Sequence, residues 1–277
     1  MNLQEAKRDI IEAARRVYQQ GYVASNDGNL SCRLDEDRIL ATPTGMSKGF
    51  LELSDLVLVD FEGKKISGSR NPSSEIGMHI FLYRERPDIN AVVHAHPPTA
   101  TGFSVAGIPL TECVLPEVVI TLGAIPIAGY GTPGGPEIAE PIRKWVQDYD
   151  AYLLENHGAT TIGTDVMNAY YKMETMEHFA KILFVAKQLG GVNLLDEQQV
   201  ADLIKIRERM GLRGPSPACD WTQGVSQIQP ANTGGGTPTL NTPSARATAG
   251  QASNGAPSQD MIAEITHRVM EELNKRA

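Results

Sequence analysis

At 277 residues with 41% hydrophobic content, the chain is long enough to bury one sizeable core and still carry appendages. Its net charge of −8 comes without a lysine/arginine stripe to neutralise a row of phosphates, which excludes nucleic acid as the main partner. Three widely spaced cysteines, Cys32, Cys113 and Cys219, fit neither a disulfide framework nor a CxxC metal knuckle, and a reducing cytoplasm is the expected setting.

The first segment, "MNLQEAKRDIIEAARRVYQQG", lacks an apolar block behind a basic start, so it is not read as a secretory signal. Leu3, Ala6, Ile10, Ala14, Val17 and Tyr18 share one side of a predicted amphipathic helix that stops at Gly21. "RILATP" and "DLVLVDFEG" predict strands, the second ending in a turn at Glu62 and Gly63. "SSEIGMHIFLYRERP" predicts a helix with serines at its start and Pro87 past its end. "INAVVHAH" predicts a strand, "VVITLGAIPIAGY" broken strand material, and "PEIAEPIRKWVQDY" a helix. "AYLLENHG" predicts a buried strand, followed by a long helix from Asp165 to a glycine stop and another over "DEQQVADLIKIRERMG". No stretch reaches the length of a membrane span. This alternation points to a layered α/β domain over residues 1–213.

Composition then changes. From Gly214 to Gln259 only Asp220 and Arg246 are charged, and small polar residues, glycine and proline dominate. Residues 214–258 therefore read as a flexible linker. In residues 259–277, Ile262, Ile265, Val269 and Leu273 fall at helical spacing behind a possible cap at Asp260. So short an amphipathic helix buries its stripe only against another surface.

The chemistry begins at "VVHAHPP", residues 92–98. Strand side chains two apart share a face, so His94 and His96 can approach one ion. His157 in "LLENHGA" is the best third ligand, and three imidazoles with one open position suit a catalytic zinc. A structural histidine pair and a turn histidine explain the same residues. Glu75, at the predicted helix start, is a candidate proton-transfer group, although taken alone it is better explained as complementing the helix dipole. Ser73 and Ser74 either cap that helix or join "NDGNLS" (26–31) and "TPTG" (42–45) in cradling an anion. His79 and His178 read as core or interface histidines, and Met167, Met173 and Met176 as packing.

Taken together, "SNDGNLSCR", "TPTG", the run from "NPSSE" through "VVHAHPPTATGFS", and "LLENHG" resemble the class II aldolase/adducin family, nearest its fuculose-phosphate aldolase branch. The resemblance implies a three-layer fold with a mixed, mainly antiparallel sheet between helices, and a homotetramer with active sites at subunit interfaces. It implies zinc held by His94, His96 and His157, Glu75 as acid/base, and a phosphate site at Gly28, Asn29, Thr44, Gly45, Ser73 and Ser74. The implied reaction is retro-aldol cleavage of a ketose 1-phosphate to dihydroxyacetone phosphate and lactaldehyde. A pentulose-5-phosphate 4-epimerase and a noncatalytic adducin-like scaffold are the alternatives. One departure stands out. The branch places a tyrosine 17–20 residues after its histidine pair to protonate the aldehyde oxygen, whereas "LTECVLPEVV" here contains none. The last segment resembles an encapsulation peptide of bacterial microcompartment enzymes, implying a shell-protein partner and a place in the compartment lumen.

Overall fold

The computed structural model describes residues 2–212, so the linker expected over 214–258 and the helix expected over 259–277 lie outside the described residues. Helix α1 (Leu3–Gln19) is capped by Asn2, whose side chain accepts from the Gln4 N–H at 2.9 Å. It buries Ala6, Ile10, Ala13, Ala14 and Val17, while Leu3 and Tyr18 stay 37% and 39% exposed, unlike the expected stripe.

Eight strands follow among the described residues: β1 (Asn29–Arg33), β2 (Ile39–Ala41), β3 (Val57–Val59), β4 (Lys65–Ser67), β5 (Ala91–Ala95), β6 (Ile127–Ala128), β7 (Ala151–Leu154) and β8 (Gly158–Gly163). They form one sheet in the order β4-β3-β2-β1-β5-β8-β7-β6, antiparallel throughout except for the parallel β6–β7 pair. Among the described residues there are six α-helices: α1, α2 (Ile76–Glu85), α3 (Pro98–Val105), α4 (Pro116–Thr121), α5 (Val166–Gln188) and α6 (Glu197–Arg209), the last packed on α4.

Strand alternation sorts the core into two layers. Leu30, Cys32, Ala91, Val93 and Ala159 face one core with α1, α3 and α5. Ile39, Val92, Tyr152 and Ile162 face the other, under Met78, Leu82 and Tyr83 of α2 and under Ile142 and Trp145. Each fully buried aliphatic side chain contributes roughly 1.5–3 kcal/mol relative to exposure. The sheet between helical layers is the three-layer architecture that the resemblance implies. No helix of the described residues is long and apolar enough to cross a membrane.

Two segments depart from the sequence expectation. "VVITL" forms the end of α4 rather than strand, and only Ile127–Ala128 pairs in the sheet. Pro116 at the first turn starts that helix, and burial of Val118 and Val119 in two separate clusters outweighs their strand propensity. "PEIAEPIRKWVQDY" forms only the 3-10 turns Pro136–Ile138 and Glu140–Ile142, because Pro141 lacks the N–H a continuous helix needs. The sequence reading also passed over β1, β4, β8 and α3. The first N–H groups of α3 are capped from outside: Glu177 of α5 accepts from Thr99 N at 3.0 Å and Ala100 N at 2.7 Å. That anchor fixes the chain where it leaves β5, beside His96.

Candidate metal and anion site

Register builds the site. Asn29 of β1 pairs directly with His94 of β5, and His94 pairs with Thr160 of β8. These side chains lie on the face covered by α2, opposite to Leu30 and Val93. His96 stands just past β5, with its N–H donated to Tyr22 O at 2.8 Å. His157 sits in the β7–β8 turn, after Asn156 in the left-handed region at φ 56°. Gly28 is held at φ 71°, where an added Cβ would lie 2.9 Å from His94 O. Gly158 is equally confined, since a Cβ there would meet the His96 ring at 2.4 Å.

The three rings converge. Their centroids lie 4.8–5.1 Å apart, and their ligand atoms all fall within 4.8 Å of one another. His94 Nδ1 donates to Ala159 O at 3.0 Å, which leaves its Nε2 bare and aimed at His96 Nε2, 3.2 Å away. Asp27 Oδ2 stands 3.6 Å from His96 Nδ1, the side on which a proton would face a carboxylate. With His96 in the Nδ1–H tautomer both facing nitrogens are bare and repel unless a cation lies between them, and about 3.3 Å is the nitrogen–nitrogen edge of a tetrahedral zinc site with bonds near 2.0–2.1 Å. The donor set therefore fits the metal that the resemblance implies. Burial, then the neighbouring His96 and His157 imidazoles, hold His94 well below the usual histidine range, so it is neutral and able to ligate. Burial also lowers His157, against the opposing pull of Glu75.

Glu75 is the N-cap residue of α2 rather than within its first turn, and its side chain caps nothing. Its Oε2 accepts from Asn29 Nδ2 at 2.7 Å and lies 3.4 Å from His94 Nε2. Its Oε1 is buried without a hydrogen-bond partner, 3.4 Å from His157 Nε2. A partnerless carboxylate oxygen beside three imidazoles is costly unless something else occupies the site.

Gly28, Asn29, Thr44, Gly45, Ser73 and Ser74 line one cavity of about 200 Å³ with Glu75, His96 and His157. The structure thus brings every sequence-proposed site residue to one place, with His94 wholly buried at its edge. The cradle differs in detail from a set of free amides. Thr44 N donates to Asn71 O at 3.0 Å, and Ser73 Oγ accepts from Glu75 N at 3.2 Å. The N–H groups of Gly28, Gly45 and Ser74, one from each loop, take no partner among the described residues.

Sequence reasoning missed Asp27 and Lys48. Buried Lys48 ties the first two loops together, donating to Asn26 O at 2.9 Å and Met46 O at 2.7 Å. Burial pushes its ammonium down to about 8, against Asp27 and Glu75. The single lysine after "TPTG" gave no signal, because its role depends on a loop 22 residues away. His79 is buried, in line with the core reading, while His178 is exposed on α5, which excludes the core half of its reading and leaves the interface half.

Residues 8–184 match the family described as "Class II Aldolase and Adducin N-terminal domain". A 3-oxo-tetronate 4-phosphate decarboxylase from Pectobacterium atrosepticum is 34% identical over 186 residues, 66% of this chain and 85% of the relative. An L-fuculose phosphate aldolase from Methanococcus maripaludis is 36% identical over 181 residues, 65% of this chain and 97% of the relative. Among solved structures, YgbL from Escherichia coli, a putative aldolase/epimerase/decarboxylase, superimposes with a TM-score of 0.68 at 32% identity, covering 73% of this chain and 98% of that one.

Proposed function

The chain belongs to the class II aldolase and adducin family and is an aldolase-type carbon–carbon lyase, and on that footing we propose that it cleaves a ketose 1-phosphate to dihydroxyacetone phosphate and an aldehyde. L-fuculose 1-phosphate, which gives lactaldehyde, or a similar ketose phosphate is the substrate. The observation that carries the reading is the partnerless Glu75 Oε1, set between three converging imidazoles and a cavity with three uncommitted loop amides.

His94, His96 and His157 would hold zinc, which when bound supplies Lewis-acid stabilisation of the negative charge developing on the substrate oxygens. Glu75 Oε1 carries the proton to and from the enediolate carbon. Gly28, Gly45 and Ser74, with the Thr44 and Ser73 hydroxyls and the Lys48 charge nearby, bind the phosphate and so orient the bond to be cut. Residues 1–213 form the catalytic domain, which assembles as a homotetramer.

A second reading has its own observation. Retro-aldol cleavage must take a proton from the hydroxyl that becomes the aldehyde, and no tyrosine lies between Leu110 and Val119. Tyr130 N donates to Glu155 Oε2 at 2.8 Å, two residues before His157, yet its side chain is 59% exposed. Decarboxylation of a 3-oxo sugar-acid phosphate gives the same enediolate while releasing carbon dioxide, which needs no such base. The relative named as a decarboxylase supports keeping that reaction.

A panel of ketose 1-phosphates, pentulose 5-phosphates and 3-oxo-acid 4-phosphates, with zinc and with chelator, separates these. Metal-dependent release of dihydroxyacetone phosphate with an aldehyde is expected. Release with carbon dioxide from the oxo acid alone moves the assignment to the decarboxylase. An epimer of the pentulose 5-phosphate without free dihydroxyacetone and glycolaldehyde phosphate means that the aldehyde is retained and rotated. No turnover at all favours the scaffold.

Residues 259–277, we propose further, address the enzyme to a microcompartment shell protein, on the strength of their sequence pattern. Deleting them is expected to leave solution activity unchanged and abolish recruitment to shells. Equal co-purification with shell proteins after the deletion contradicts the targeting.

A further inference from the structure

A buried polar seam runs from the site into the core between α2 and β1. Residues 75, 79 and 83 recur every four positions along one helix face, and residues 29 and 31 lie two apart on one strand face. Asn29 Nδ2 lies 2.7 Å from Glu75 Oε2, and His79 Nε2 lies 2.5 Å from Asn29 Oδ1. Ser31 Oγ lies 2.6 Å from His79 Nδ1 and 2.8 Å from the Tyr83 hydroxyl. All five side chains are buried, and His79, Ser31 and Tyr83 are each 1% exposed. None of these last three lines the cavity.

One end of the seam sets the direction of every bond. An ionised carboxylate only accepts, so the Asn29 amide nitrogen faces Glu75 and its oxygen faces His79. That oxygen also only accepts, so His79 carries its proton on Nε2. Its bare Nδ1 then accepts a hydrogen bond from the Ser31 hydroxyl, and Ser31 Oγ accepts from the Tyr83 hydroxyl. Burial pushes the His79 imidazole down to about 3, which keeps it neutral.

We propose that Tyr83, Ser31, His79 and Asn29 form a positioning relay that pins Glu75 through Oε2 and reserves Oε1 as the only oxygen that takes and returns a proton. The proposal rests on the reading of Glu75 as the acid/base. A proton on Oε2 would point at the Asn29 N–H, whereas Oε1 has no hydrogen-bond partner and lies 3.4 Å from His157 Nε2. The relay also redefines Asn29, whose side-chain oxygen and one amide hydrogen are committed away from a bound phosphate. His79, Ser31 and Tyr83 do not line the cavity, and their side-chain hydrogen bonds in the seam go to one another and to Asn29, so they act through Glu75.

The test uses the full metal-loaded chain and exchange of the hydroxymethylene hydrogen of dihydroxyacetone phosphate with deuterated water, a proton transfer without bond cleavage. His79→Leu is expected to lose roughly 10²-fold in exchange and in kcat, the scale of a misplaced reacting group, with KM near wild type. His79→Gln reaches Asn29 with an amide N–H and is expected to keep most of the rate. Ser31→Ala and Tyr83→Phe should give smaller losses, graded by distance from Glu75. A nitrogen NMR spectrum of the wild-type protein should show His79 as the Nε2–H tautomer, and this result does not depend on any variant folding. The Nδ1–H tautomer, or equal losses in His79→Leu and His79→Gln, overturns the relay. Wild-type exchange in His79→Leu overturns it too, provided that Glu75→Gln is inactive. Wild-type exchange in Glu75→Gln removes the acid/base reading itself, and the relay with it.

Discussion

Glu75→Gln lowers turnover by about 10²–10⁴-fold, the usual contribution of a positioned general acid/base, while the protein stays folded and keeps its metal. The substitution preserves shape. Glutamine retains an oxygen that accepts the Asn29 amide, now 2.7 Å from Glu75 Oε2, so no buried donor is orphaned. What is lost is the basic oxygen opposite, now 3.4 Å from His157 Nε2. A group that acts only in the transition state changes kcat more than KM. Steady-state kinetics on the best ketose phosphate, with a metal assay and a melting curve of the same sample, check all three parts. Wild-type turnover in this variant removes the carboxylate from the reaction.

His157→Asn loses bound metal and activity together. Structural zinc sites with four ligands are worth about 10–16 kcal/mol, so each ligand contributes roughly 2.5–4 kcal/mol, on the order of 10²–10³-fold in affinity. His157 is the ligand to remove first. Its Nδ1 is already without a partner, whereas His94 also serves Ala159 O in the β5–β8 pairing. Metal analysis after gel filtration should find the variant depleted where the wild type is loaded, and excess zinc should restore part of the activity. Full metal content with full activity in His157→Asn takes this residue out of the ligand set.

The candidate three-histidine cluster was legible because it follows strand parity: His94 and His96 lie two apart, and His157 follows a buried strand. Glu75 and the three loops were legible as motifs, not as geometry. Strand β1 was hidden because "NDG" signals a turn, and the alternation of Asn29 and Ser31 with Leu30 and Cys32 starts immediately after it. Without β1 beside α2, nothing in one dimension links His79 to Asn29, 50 positions away. Lys48 was hidden for the same reason. The stretch before β7 misled because its spacing is helical while Pro141 forbids the helix. The α4 stretch misled in the other direction, through β-branched residues whose packing decides their conformation.

X-ray absorption at the metal edge of the purified, metal-replete protein tests the central claim most directly. The account predicts one divalent ion per chain with three histidine nitrogens at about 2.0–2.1 Å. An ion without an imidazole shell, or no ion in protein prepared with zinc in excess, contradicts it.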